Sequence, residues 1–152
     1  MQRQNDDNDR IAWYLNYATI LARQHNVPKE WTITTDRATT RAGLCNYRTQ
    51  QLSFSKYLFT NTDIDIKDVT NIILHEIAHI LAGPYARHGP EWKNKALEIG
   101  CDAKRCHTLL LRSPKEKMAC TCGSIVRTYY RIPIKKAIYC RACKTPCDHV
   151  VV

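Results

Sequence analysis

Asn71-Ile72-Ile73-Leu74-His75-Glu76-Ile77-Ala78-His79-Ile80-Leu81-Ala82-Gly83 is apolar except for Asn71, His75, Glu76 and His79. In a helix, residues four apart share a face, so His75 and His79 can converge on one metal ion. Glu76 lies beside that face, where a carboxylate can take a proton from a metal-activated water. Burying two imidazoles and a carboxylate among Ile, Leu and Ala is costly unless they have partners. Gly83-Pro84 closes the run, and His88-Gly89-Pro90-Glu91-Trp92 follows at a distance suited to a third ligand.

The third ligand has competitors. His88 is favoured because it follows a turn and opens a helix able to fold back on the first. His107 is an alternative, as is a downstream carboxylate such as Glu98. Three nitrogen ligands would leave one position open, the mark of a catalytic rather than a structural zinc. The chemistry expected of such a site is peptide-bond hydrolysis with Glu76 as general base and no covalent intermediate.

Around this helix the pattern is α+β. Ile11, Tyr14, Leu15, Ala18, Leu21 and Ala22 keep helical spacing, and Pro28 ends that helix near His25-Asn26. Trp31–Thr35, the region of Ala42–Tyr47 and Gln51–Ser55 read as strands of a small antiparallel sheet. An exposed edge of that sheet, with Arg41–Cys45 as the candidate, could pair with an extended substrate backbone. Asp65 or Asp68 suits the start of the metal helix, and Pro90 the first turn of a following helix closed by Gly100.

The chain holds 152 residues, 44% of them hydrophobic, which is enough for one modest core. No apolar run approaches the roughly 20 residues needed to span a bilayer, and the polar start is no signal peptide. The expected location is therefore intracellular, where eight cysteines read as metal ligands or free thiols before disulfides. Cys120-Thr121-Cys122 and Cys140-Arg141-Ala142-Cys143, joined by a β-prone stretch, can bring four thiolates around a structural zinc. Cys147 or His149 could replace one of them, and Cys45, Cys101 and Cys106 read as free thiols.

Charge divides the chain. Residues 1–101 hold 12 Lys and Arg against 11 Asp and Glu, whereas residues 102–152 hold 11 against 3. A basic segment beside a near-neutral one suits a polyanion, most often nucleic acid. Arg127, Arg131, Lys135, Lys136, Arg141 and Lys144, interleaved with Tyr129, Tyr130 and Tyr139, are the candidate DNA contacts. The expected organisation is a disordered polar segment over 1–9, a metalloprotease core over 10–112 and a basic zinc ribbon over 113–152.

Taken together, these motifs resemble the SprT-like family, which includes the Spartan-type DNA-dependent metalloproteases. The likeness rests on His75-Glu76-Ile77-Ala78-His79, on His88-Gly89-Pro90-Glu91-Trp92-Lys93 with Ile99-Gly100 behind it, on Arg41–Cys45, and on the terminal cysteine pairs. It runs from about Ile11 to Cys143. It implies a zincin-like core with zinc on His75, His79 and His88, Glu76 as base, and a zinc ribbon on Cys120, Cys122, Cys140 and Cys143. The Cys-x-Cys pair is similar to the bacterial variety. For Spartan-type relatives it implies cleavage of proteins bound or crosslinked to DNA, a step in crosslink repair, with DNA switching the protease on. A monomer is expected. Two rival readings stand beside it: a nucleic-acid-binding module with little peptidase activity, and a zinc protease indifferent to DNA.

Overall fold

The computed structural model describes residues 1–112, 116–120, 122, 123, 125–129 and 138–147. These form two compact units, Met1–Leu111 and Arg112–Val152.

The first unit is α+β. Helix α1 spans Gln2–Gln24 and buries Tyr14, Ala18 and Ala22, one stripe of the predicted amphipathic pattern. It starts at Gln2, whereas the polar composition suggested disorder through residue 9. Adding residues to a helix already nucleated by a buried face costs little. Gln4 also donates to Asn8 one turn on, at 3.3 Å.

Strands β1 (Thr32–Asp36), β2 (Gly43–Asn46) and β3 (Gln51–Ser55) form a sheet in the order β1-β3-β2. The sheet is mixed, not antiparallel as expected, because β1 runs parallel to the central β3 while β2 runs antiparallel to it. Residues 37–42 carry the chain over the end of β3. Asp36 holds that crossing by accepting from the Ala38 amide, Arg41 and the Ser53 hydroxyl, each at 2.9 Å. Both outer strands thus reach β3 without a long connection, and β2 is left as an edge.

A short helix α2, Lys56–Thr60, follows β3 directly and buries Leu58 and Phe59. Helix α3 spans Ile66–Ala82. The Asp65 carboxylate accepts from the Lys67 amide at 2.9 Å, satisfying one of the free donors at the helix start. Gly83, at φ 90°, ends the helix in a conformation that side chains resist. Helix α4, Pro90–Glu98, has Pro90 in its first turn and buries Trp92 and Ala96. Ile73 and Ile77 of α3 pack with Leu52, Phe54, Phe59, Trp92 and Ala96 into one core.

In the second unit β4 (Glu116–Ala119) pairs antiparallel with β5 (Ile125–Tyr129), and β6 (Ile138–Tyr139) with β7 (Pro146–Cys147). Among the described residues no helix is long and apolar enough to cross a membrane.

Candidate metal centres

Helix α3 and the turn into α4 bring His75, His79 and His88 together. The Nε2 atom of His88 lies 3.1 Å from those of both His75 and His79. Tetrahedral zinc with nitrogen ligands at ~2.0–2.1 Å sets them roughly 3.3 Å apart, so the triangle fits such an ion. The protonation states fit as well. Burial, then the neighbouring imidazoles, lowers His75 and His79 to about 4, and burial also lowers His88. At neutral pH all three rings are neutral and can offer a lone pair.

The triangle is held from behind. Trp92, fully buried, lies against all three imidazoles, with ring centroids 4.6, 5.4 and 4.6 Å from those of His75, His79 and His88. Its indole nitrogen donates to the His75 carbonyl at 3.4 Å. Trp92 is thus the floor of the whole site. The Lys104 backbone opposes the lowering of His75, whose Nε2 faces His88. The 101–104 loop is anchored by Asn71, whose side-chain oxygen accepts from the Asp102 amide at 2.9 Å. Tyr47 donates to the carbonyl of His79, which also receives the Gly83 amide at 3.0 Å.

Glu76 is only 7% exposed and reaches β2. The Cys45 amide donates to its carboxylate, and a Cβ at Gly43 would lie 2.7 Å from Glu76 Cγ and 2.8 Å from Oε1. Gly43 therefore leaves the space the carboxylate occupies. Burial raises Glu76 to about 7, with Arg41 and the Cys45 amide opposing. A carboxylate poised there can both take and release a proton near neutrality.

The competing ligands do not join the triangle. His107 accepts from the Leu109 amide at 3.1 Å, and Glu98 pairs with Lys95 at 3.2 Å. Burial pushes the half-buried Cys45 thiol up to about 12 and also raises Cys101, so neither is a thiolate at neutral pH. Cys106 is exposed and free.

In the second unit Cys120, Cys122, Cys140 and Cys143 cluster, with all four sulfurs within 4.8 Å of one another. Sγ of Cys120 is 3.3 Å from Cys143, and Cys122 is 3.7 Å from Cys140. Zinc–thiolate bonds of ~2.3 Å set tetrahedral sulfurs roughly 3.8 Å apart, so this group also fits a metal. The Cys122 amide lowers the Cys120 thiol, and the Thr145 hydroxyl, 2.9 Å from Cys143, lowers that one. Arg141 and Lys144 are exposed in the turn between Cys140 and β7, and Arg127 lies on β5 opposite Met118. Arg131, Lys135, Lys136 and His149 lie outside the described residues, as does the Cys147 side chain.

A family model described as the SprT-like family matches residues 11–110. The chain belongs to the SprT-like family. The match covers the sheet, both helices of the histidine centre and its anchoring loop. No curated protein and no solved structure matches the chain.

Proposed function

We propose that this SprT-like chain is a zinc-dependent metalloprotease with a zincin-like core, acting on proteins bound or crosslinked to DNA and stimulated by DNA. The observation that carries the protease reading is a buried carboxylate near pKa 7 beside three converging neutral imidazoles. Family membership supports it.

His75, His79 and His88 would hold the catalytic zinc, which when bound supplies Lewis acidity that polarises a carbonyl and acidifies water. Glu76 accepts the proton of the attacking water and returns it to the leaving amine nitrogen, so the carboxylate ends each cycle as it began. The Cys45 amide and the notch at Gly43 hold that carboxylate in place. The Ser55 amide bonds Ala42, so the alternation of an antiparallel pair turns Leu44 towards β3 and Gly43 towards the open edge. An extended peptide paired along that edge runs past Glu76. Cys120, Cys122, Cys140 and Cys143 would hold a structural zinc.

The DNA component rests on the excess of 11 basic over 3 acidic residues in positions 102–152 and on the exposed Arg141 and Lys144. The test incubates the zinc-loaded chain with a basic DNA-binding protein, with and without DNA, beside Glu76→Gln. Cleavage that needs DNA is expected, falling about 10²–10⁴-fold in the variant while zinc stays bound. Cleavage without DNA would remove the switch from the reading. Its absence in every condition, with fold and zinc intact, would favour a binding module.

A further inference from the structure

One face of α1 carries a different surface from the rest of this basic chain. Asp6, Asp9, Trp13, Tyr17 and Ile20 follow one another at three- or four-residue spacing, so they share a helix face. Trp13 is 54% exposed and stacks on Tyr17, with ring centroids 5.4 Å apart and planes at 23°; Ile20 is 46% exposed. The Tyr17 hydroxyl lies 3.0 Å from Thr70 Oγ1, which donates to the Ile66 carbonyl at 2.7 Å. Thr70, one turn into α3 from Ile66, therefore meets the stripe at Tyr17; Ile66 is 45% exposed, and Asp63 and Asp65 precede it in the chain.

Among the described residues, the ion pairs are Arg41–Asp36, Lys95–Glu98 and Lys104–Asp102. Asp6, Asp9, Asp63 and Asp65 are in none of them. The cations nearby in sequence are Arg3, Lys67 and Arg10. Arg10 is turned to the Phe59 carbonyl at 3.2 Å and the Tyr14 ring. Apolar and aromatic side chains rimmed by carboxylates outside these ion pairs match a segment that combines cations with apolar residues.

We propose that this face is a docking site for lysine- and arginine-rich polypeptide segments of the protein substrate. The indole and phenol faces accept ammonium or guanidinium groups, Asp6, Asp9, Asp63 and Asp65 pair with neighbouring cations, and Ile20 and Ile66 cover apolar side chains between them. Proteins that sit on DNA are rich in such segments, so the site gives the protease a grip on its substrate away from the scissile bond. Naming the partner as substrate rests on the protease reading; the binding chemistry does not.

The test measures binding without cleavage. A fluorescent peptide of lysine, arginine and leucine is titrated with the 152-residue, zinc-loaded Glu76→Gln chain, beside a peptide with glutamate in place of the basic residues. The basic peptide should bind and the acidic one should not. Trp13→Ser, and separately Asp6→Asn with Asp9→Asn, should each weaken binding roughly fivefold or more. Leu97→Ser, at an exposed apolar position of α4, should leave it unchanged. Unaltered affinity in the Trp13 variant, with its melting temperature preserved, would overturn the proposal. So would equal binding of the acidic peptide, Trp13-dependent binding of DNA in place of the peptide, or a Trp13-dependent dimer in sedimentation. A positive result with an inactive wild-type chain would keep the docking site and discard its role in proteolysis.

Discussion

The two candidate metal centres solve opposite problems. The histidine centre is built on a core that exists without it. Its ligands sit on α3 and at the entry to α4, Trp92 fills the space behind them, and backbone carbonyls and hydroxyls orient the helix that carries them. The cysteine centre draws its four ligands from two short stretches of the second unit, Cys120 with Cys122 and Cys140 with Cys143, and Cys120 and Cys140 are the buried pair among them. On the proposed reading a metal is a guest in the first centre and the core of the second: one stores geometry for chemistry, and the other uses binding energy to fold.

The widest separation between them should appear on removing metal. Structural zinc contributes on the order of 10 kcal/mol to small domains. A chelated chain, or one carrying Cys120→Ser with Cys140→Ser, should lose dispersed amide signals from residues 116–147 in a heteronuclear NMR spectrum. Signals from residues 11–110 should persist. If both sets collapse together, the histidine centre is not preformed and the contrast fails.

Trp92→Ala attacks the contrast from the other side. Removing a fully buried indole costs about 3–5 kcal/mol, and here it also removes the floor under three ligands. Denaturant unfolding should show that loss, and zinc titration should show weaker binding at the histidine centre alone. A variant that loses stability while keeping its zinc affinity would reduce Trp92 to core packing.

A subtler measurement concerns Glu76. Its carboxyl is raised from about 4.5 to about 7, so the folded metal-free chain holds a proton that the unfolded chain has released. That contribution is present below pH 4.5 and is lost as the pH rises to 7. His75 and His79, lowered to about 4, act in the opposite sense, losing stability as the pH falls from 6.5 towards 4. Glu76→Gln leaves the histidines in place, so the difference between variant and wild type isolates the carboxylate. The metal-free variant should gain on wild type by about 3 kcal/mol between pH 4.5 and pH 8, read as unfolding midpoints in denaturant. A pH-independent difference would mean that the carboxylate is solvated and the site less preorganised than its burial implies.

Much of this arrangement was readable from residues, because it is local. His75 and His79 one turn apart, Gly83 as a stop, Pro90 as a start and His88 between them are features of a single span of chain. The sheet was only half readable. Strand segments followed from β-branched and aromatic residues, but the parallel pairing of β1 with β3 depends on the crossing at 37–42, held by Asp36 with Ser53, seventeen residues away. Helix α2 is too short for periodicity to reveal. The contacts that orient the site were invisible for the same reason: Lys104 to His75, Tyr47 to His79 and Gly43 to Glu76 join separate parts of the chain through backbone atoms or through a missing side chain. Asn71 reads from sequence only as a polar residue in an apolar helix, because its role depends on the Asp102 amide, 31 residues away.

Gly43 carries one more consequence. An edge strand is ordinarily where a sheet tolerates substitution most freely, since one side faces open space. Here that expectation inverts. Gly43 has ordinary backbone geometry and needs no left-handed conformation, yet any other side chain would begin inside the volume of Glu76. A residue with no side chain thus sets the upper limit on size beside Glu76. Variation at position 43 and variation at position 76 cannot be independent: a methyl group gained at one must be matched by a methylene lost at the other.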